Sequence, residues 1–416
     1  MSYAYLCRCV ILSIRILGNF LMHKRREDDE LAIIEALYAN DRSSANHTRI
    51  HTSILTGDRY VREVLEGHEL RCKRDFRMEQ YIFHNLVQCL RERCHLRDTN
   101  FVSVKEQVGI FLYAVSKNAT NRTLQGQFQH SGEVISRYFH IVLNALMILS
   151  GSIIQLPPIN VPLKVASNTK FMPYFKDCIG AIDGTHIPIS ISPNDQDPYR
   201  NRKGTLSQNV MVACDFDNRF VHVSSGWEGS ASDARVLQDA LENNFYVPEG
   251  KFYLVDAGYA NMPNFIAPYC NVRYHLVEQA KCNQRPQNPR ELFNLRHAQL
   301  RNHVERIIGV LKKRFPILKC ASQYPIDSQA EIAIACCALH NFICSNEGGE
   351  QWLDQVESEI DPVKIIDVPS GDMKYTNDIH SLNERRALGS TKRDEIANAM
   401  WNDYQDYLRR TRRNTA

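Results

Sequence analysis

Between residues 76 and 150 apolar positions recur every three to four residues, and from about 170 they gather into short unbroken runs. The first pattern predicts helices and the second strands. Phe76 to Cys94 reads as one helix. Ser103 opens another through the capping box S-V-K-E, with Glu106 three residues on, and Val108, Phe111, Leu112 and Val115 form its buried side. After the short segment N-R-T-L-Q-G-Q-F, Ser131 starts a longer helix, V-I-S-R-Y-F-H-I-V-L-N-A-L, which carries Arg137 and His140. Two helices, a tight turn and a Ser-started helix make a helix-turn-helix-like region with DNA contact in view; a plain helical bundle would show the same pattern. Residues 24–75 are polar and mixed, and read as a linker around one short helix.

The strand-length runs begin with Ile179 to Ile191. N-V-M-V-A-C-D-F and F-V-H-V-S-S-G flank Asp217-Asn218 and read as a β-hairpin that extends the first strand into a meander. Ser230 or Ser232 caps a helix running to Asn243, and K-F-Y-L-V-D-A-G-Y is a strand ending in Asp256. V-R-Y-H-L-V, Val272 to Val277, is a further strand. A polar loop, 281–289, leads into a long helix from about Arg290 to Arg314, and A-E-I-A-I-A-C-C-A-L-H-N-F-I closes the region. This order predicts an α/β fold, a mixed sheet flanked by helices. The expected organisation is an N-terminal extension (1–75), the helical region (76–150), the sheet domain (170–345), an acidic linker (346–390), and a C-terminal helix with a basic tail (391–416).

Three acids stand out against this frame. Asp183 interrupts an apolar strand, where an unpaired carboxylate is costly to bury. Asp256 ends a later strand. On the long helix His297, Arg301 and Glu305 follow each other at four-residue steps, with Asn294 three before, so they share one polar stripe. Leu300, Val304, Ile308, Leu311 and Phe315 form the neighbouring apolar stripe that would seat the helix on the sheet. Carboxylates converging there would repel one another, and a divalent cation with hard oxygen ligands, Mg²⁺ or Mn²⁺, would relieve the conflict. Two such ions suit in-line displacement at phosphorus. Each acid also has a plainer reading: Asp183-Gly184 as a turn, Asp256 as a cap, Glu305 as a surface partner of Arg301 or Arg306. Asp233, in a helix first turn, is an outside candidate that dipole stabilisation also explains. His186 is a second outside candidate, read first as a satisfied core residue. Arg200, Arg202 and Lys203, in Y-R-N-R-K-G, form a candidate phosphate clamp.

Composition narrows the picture little. With 44% apolar and 23% charged residues and a net charge of +3, the 416-residue chain is composed like an ordinary globular protein. Local charge is more informative. Arg301, Arg306, Lys312, Lys313, Arg314 and Lys319 crowd one stretch, and R-R-T-R-R, Arg409 to Arg413, stands near the end. Such blocks read as nucleic-acid surface or nuclear-import signal, or as solvated faces. Glu347 to Asp378 carries nine acids against Lys364 and Lys374. The thirteen cysteines include no C-x-x-C pair, which favours free thiols over a zinc site or a disulfide framework. The apolar stretch Tyr3 to Met22 is interrupted by Arg8 and Arg15 and reads as an amphipathic helix or extension, with no membrane association expected.

G-A-I-D-G-T-H-I, Y-R-N-R-K-G with S-Q-N-V, G-W-E-G-S-A-S-D, L-V-D-A-G-Y and N-L-R-H-A-Q-L-R-N-H-V-E-R-I-I-G-V-L-K-K-R-F, spread over about 175 to 345, together resemble the PIF/Harbinger transposase family. The resemblance implies an RNase H-like fold with a DDE metal site: first Asp at Asp183, second at Asp256, Glu at Glu305. It implies a transposase-derived DNA endonuclease holding two Mg²⁺ or Mn²⁺ ions, with DNA as substrate and a Myb-like DNA-binding protein as partner. The location it implies is the nucleus, with room for a cytoplasmic pool. Arg200, Arg202, Lys203, Arg301, Lys312, Lys313, Arg314 and Arg137 are the expected DNA-facing cations. The family also has domesticated members, some with eroded acids, so the alternative is a non-catalytic nuclear protein associated with chromatin. No acid of the triad is missing here. A glycosidase using two of the acids would leave the third idle.

Overall fold

Thr56, Ser103, Thr120 and Ser131 each stand in extended backbone and accept a hydrogen bond from the N–H three residues on. These caps fix four helix starts in a computed structural model of the chain, which describes residues 50–157, 160–243, 245–270, 272, 285–346 and 379–414. The elements all belong to the unit Ser53–Ala416. The first helices are α1 (Gly57–Glu66), α2 (Glu69–Phe76), α3 (Gln80–Arg93), α4 (Val104–Lys117), α5 (Asn121–Phe128) and α6 (Gly132–Ile153).

Three expectations for this region are corrected. The helix expected from Phe76 to Cys94 starts only at Gln80, because Arg77 turns into the left-handed region (φ 60°) and ends α2 at Phe76. The rings of Phe76 and Phe83 stack across that break, 5.2 Å apart. Two helices, α1 and α2, occupy part of the stretch read as a linker, and their Val61, Val64, Cys72 and Phe76 are core residues. The capping box at Ser103 forms only by half: Ser103 accepts from the Glu106 N–H, while the buried Glu106 carboxylate takes His130 Nε2 at 2.7 Å. The 22 residues of α6 are apolar and long enough to cross a membrane, but half of that apolar window is buried within the protein, as where the Phe139 ring meets Phe111 and Tyr324.

The strands are β1 (Cys178–Pro188), β2 (Ser207–Cys214), β3 (Phe220–Glu228), β4 (Phe252–Leu254) and β5 (Phe265–Ile266). Between β3 and β4 lies α7 (Asp233–Glu242), capped by Ser232. Later come α8 (Pro289–Arg314), α9 (Ile326–Ser345) and α10 (Ile379–Asn414). The sheet order is β3-β2-β1-β4-β5; β1–β2 and β2–β3 are antiparallel, β1–β4 and β4–β5 parallel. The β2–β3 hairpin closes through Asp215–Arg219. Asn218 takes a positive φ of 65°, and Asp215 Oδ1 accepts the N–H groups of Asp217 and Arg219.

Alternation along the strands sorts the core. Val210, Val212, Phe252, Leu254 and Ile266 join the large cluster that includes α8 and α9; Met211, Ala213, Tyr253, Val255 and Phe265 join the smaller one under α7. The result is a mixed α/β sheet with helices on both faces. Of the expected strand at Val272–Val277, residues 273–277 lie outside the described residues. Beside β4 the structure has β5, whose two residues are too few to show a period. Most of the expected acidic linker, 347–378, and the N-terminal apolar stretch also lie outside the described residues. From Ile379 onward the chain is α10, earlier and longer than the helix expected from 391. It lies along α8, and Arg393 donates to the carbonyls of Ala267 and Pro268, 3.1 Å each.

Candidate active site

Parallel pairing sets Ala181 on β1 beside Leu254 on β4. Asp183 and Asp256 each stand two residues further along their chains, on the sheet face that packs against α8. Adjacent strands lie about 4.8 Å apart, so register alone makes the two carboxylates neighbours. Helix α8 crosses that face. Its Leu300, Val304, Ile307, Val310 and Leu311 are buried, and the step from Arg301 to Glu305 runs along the flank of that stripe. Arg301, 5% exposed, reaches Glu305 Oε1 with Nη2 at 2.6 Å and Asp183 Oδ1 with Nη1 at 3.5 Å.

A fourth acid comes from the other face. Asp233 sits in the first turn of α7, and its carboxylate lies where a Cβ on Gly184 would be, 2.3 Å from that position. Only glycine next to Asp183 leaves room for it. Asn209 Nδ2, on β2, donates to Asp233 Oδ1 at 2.7 Å.

The crowding shows in the acidities. Burial pushes the Asp183 carboxyl up to about 7; Arg301 pulls it back, and Asp256, Glu305 and Asp233 push it further up. Asp256 is also raised, first by burial and then by Asp233 and Glu305, against the pull of Arg301 and the Gly258 N–H bonded to its Oδ1 at 2.8 Å. One guanidinium therefore serves several acids and does not quench them. Tyr259, 4% exposed, adds a buried hydroxyl without a hydrogen-bond partner among the described residues. Burial and then Asp233, Asp256 and Asp183 raise its pKa well above the ordinary phenol range. Tyr259 was not anticipated; the signal lay in its place three residues after Asp256.

The donor set is all oxygen and in surplus of negative charge, which fits a hard divalent cation held by Asp183, Asp256 and Glu305, with Asp233 adjacent. As the side chains stand, no group of three or more His, Cys, Asp or Glu among the described residues is close enough to hold a metal ion. Arg301 occupies the space between Asp183 and Glu305.

The other expected residues take up different places. Lys312 Nζ bonds Thr185 Oγ1 at 2.7 Å and the His186 carbonyl at 2.8 Å, tying α8 to β1 beside Asp183. His186 is exposed rather than part of the core, because its place near the end of β1 turns the ring outward; Nδ1 meets Ser207 Oγ at 3.0 Å. Desolvation lowers its pKa, which Asp233 raises and Lys312, Lys203 and Arg202 lower further, so the 200–203 loop lies within its field. Arg200, Arg202 and Lys203 are exposed there, with Arg200 Nη1 on the Gly204 carbonyl at 3.0 Å. Lys313 is half-buried near the end of α8. Arg137 is remote in sequence, on α6, and pairs with Glu133. Arg314 corrects an expectation: it is fully buried and bonds His340 Nδ1 at 3.2 Å, so it offers nothing to a DNA backbone. Every cysteine among the described residues is a free thiol.

Residues 182–341 match the family described as DDE superfamily endonuclease. Residues 52–148 match a domain of unknown function, DUF8040. The chain is similar to the protein named "Putative nuclease HARBI1" of Rattus norvegicus, 31% identical over 191 residues, 44% of this chain and 50% of that protein. The Homo sapiens protein of the same name is 30% identical over 182 residues, 42% and 48% of the two chains. "Protein ALP1-like" of Arabidopsis thaliana is 28% identical over 201 residues, 43% and 45%. The chain spans about half the length of the curated relatives it matches. No solved structure matches.

Proposed function

We propose that this protein is a divalent-metal-dependent DNA endonuclease of transposase descent, with Asp183, Asp256 and Glu305 holding Mg²⁺ or Mn²⁺, two ions per site. The observation that carries the reading is the register Ala181↔Leu254, which aligns Asp183 with Asp256 on the face crossed by α8, where Arg301 pairs with both Asp183 and Glu305. The β3-β2-β1-β4-β5 order, antiparallel on one side of β1 and parallel on the other, supports an RNase H-like reading of the sheet. Bound divalent ions would supply charge stabilisation and a nucleophile at neutral pH in phosphodiester hydrolysis. The chain's own groups do the rest. Asp183 lies within β1 and Asp256 just past the end of the adjacent β4, so the sheet holds them side by side; the exposed Arg200, Arg202 and Lys203 face the phosphate backbone beside His186. The α5–α6 pair, joined through the left-handed Gln129, is helix-turn-helix-like and presents Arg137 near the start of α6. DNA is the substrate, the nucleus its place, and a Myb-like DNA-binding protein a partner.

The second reading is a non-catalytic nuclear protein associated with chromatin. One observation favours it: Arg301 already pairs with two acids of the triad. Incubating purified protein with supercoiled DNA and Mg²⁺ or Mn²⁺, beside Asp183→Asn, separates the two. Metal-dependent nicking lost in the variant supports the nuclease. Nicking that persists in Asp183→Asn excludes this site, and none from either chain shifts the weight to the second reading.

A further inference from the structure

Arg301 is an unusual group to find between the acids of a cation site. It is 5% exposed, on a helix whose flanking Leu300 and Val304 are fully buried. One turn earlier His297, 1% exposed, is held by Nε2 on the Ile266 carbonyl at 2.9 Å. Its two nitrogens address oxygens of different acids, Glu305 Oε1 on its own helix and Asp183 Oδ1 on the sheet. Both belong to the set that the proposed function assigns to the metal. A planar fork that hydrogen-bonds Glu305 at 2.6 Å and reaches Asp183 at ion-pair distance, 3.5 Å, makes an internal cation shared by two acids. A divalent ion arriving on the same oxygens meets that positive charge directly, and like charges at such range disfavour each other.

Building on the proposed function, we propose that Arg301 is a resident counter-cation: it holds Asp183 and Glu305 together without metal and must release at least one of them to admit a divalent ion. Arg301 is thus a positioning residue that sets the divalent-ion affinity of the site. Without it the acids repel one another and the apoprotein loosens. With it, every loaded ion must first displace an ion pair. The arrangement keeps the acid cluster ordered when no ion is held and makes loading a competition rather than a simple capture.

The test is calorimetric titration of the full-length, EDTA-stripped protein with Mn²⁺, together with thermal melts in EDTA, for wild type, Arg301→Gln and Arg301→Lys, with circular dichroism as the check on folding. Arg301→Gln should bind Mn²⁺ on the order of tenfold more tightly while melting at lower temperature in EDTA. Arg301→Lys, a point charge that cannot fork across two acids, should fall between, and it carries the test if the Gln variant does not fold. Mn²⁺ binding to wild type with equal or weaker binding in the folded Gln variant, or in the Lys variant when only that one folds, overturns the counter-cation and leaves the nuclease reading standing. Binding in none of the three overturns both. Binding in the variants alone supports the strongest form, in which the arginine excludes the ion altogether.

Discussion

Helix α8 buries two arginines, one near its middle and one at its end, and their surroundings differ in kind. Arg301 stands among acids whose charges it shares between Asp183 and Glu305. Arg314 is 0% exposed and bonds the His340 ring, whose other nitrogen meets the Asn218 carbonyl in the β2–β3 turn at 2.9 Å. Burial lowers the pKa of Arg314, with Cys344 pushing the other way. The second arrangement ties α8, α9 and a hairpin turn into one network. The first leaves carboxylates with more charge than one cation neutralises. Arg314 is held by packing and one ring, whereas the charges around Arg301 crowd one another.

The largest effect expected from breaking this contrast is on activity. On the proposed function, Asp183→Asn removes one acid of the site and costs several kcal/mol of transition-state stabilisation, roughly a 10³-fold loss in nicking rate. Circular dichroism of the variant should be unchanged, since the amide fills the same space. Next in size is Arg314→Ala, which opens a cavity and strands His340. Stability to urea should fall by about 3–5 kcal/mol, while the folded fraction keeps its nicking rate and DNA affinity. Loss of DNA binding without loss of stability would show instead that Arg314 faces the backbone, against its burial.

The two regions also differ in sign with pH. Asp183 has a folded value near 7 against an ordinary value of about 3.9, so the native state keeps its proton longer than the unfolded chain. Its contribution to stability is present below about pH 4 and lost as pH rises through 7. Burial holds His297 and His340 each down to about 3, against an ordinary value near 6.5. Their contribution is present above about pH 6.5 and lost as pH falls toward 3. Urea midpoints in EDTA from about pH 4 to 8 should therefore show opposing limbs of a few kcal/mol at most. Asp183→Asn should flatten the loss on the alkaline side and leave the acid limb; a curve unchanged by that substitution would falsify the crowded-acid account.

These differences were only partly legible in the sequence. The strands β1 to β3, the hairpin turn and α8 follow from local signals, namely short apolar runs, an Asp-Asn turn and a long helical stripe, so the structure keeps them close to where those signals put them. The break at Arg77 carried no such signal, because a left-handed arginine has no sequence mark comparable to glycine. The basic run K-K-R hid a difference that periodicity could have exposed: Ile307, Val310, Leu311 and Arg314 fall at three-to-four spacing on the buried stripe, whereas Lys312 and Lys313 do not. Arg301 was legible as a partner of Glu305 but not as a neighbour of Asp183. That contact depends on how α8 sits on the sheet, which is decided by packing between segments more than a hundred residues apart. Asp233 was visible only as an outside candidate in a helix first turn; its approach to Gly184 comes from α7 folding back over the opposite face.

Asp233 gives the smallest expected effect and the sharpest remaining distinction. Its Oδ1 is bonded by Asn209 Nδ2, and its charge raises the pKa of Asp183, Asp256 and Tyr259 alike. If it only tunes the field, Asp233→Asn removes one repulsive charge and exchanges one hydrogen bond for another. Stability should then change by about 1 kcal/mol or less, and nicking by less than about tenfold. If it is itself a ligand, nicking should collapse as far as in Asp183→Asn, and Mn²⁺ affinity should fall with it. Titrating Mn²⁺ into the variant while following nicking of supercoiled DNA separates the two. A rate restored at high Mn²⁺ marks weakened holding, whereas an unchanged Mn²⁺ midpoint with near-normal rate leaves Asp233 as the neighbour that sharpens the contrast between a crowded site and a quiet one.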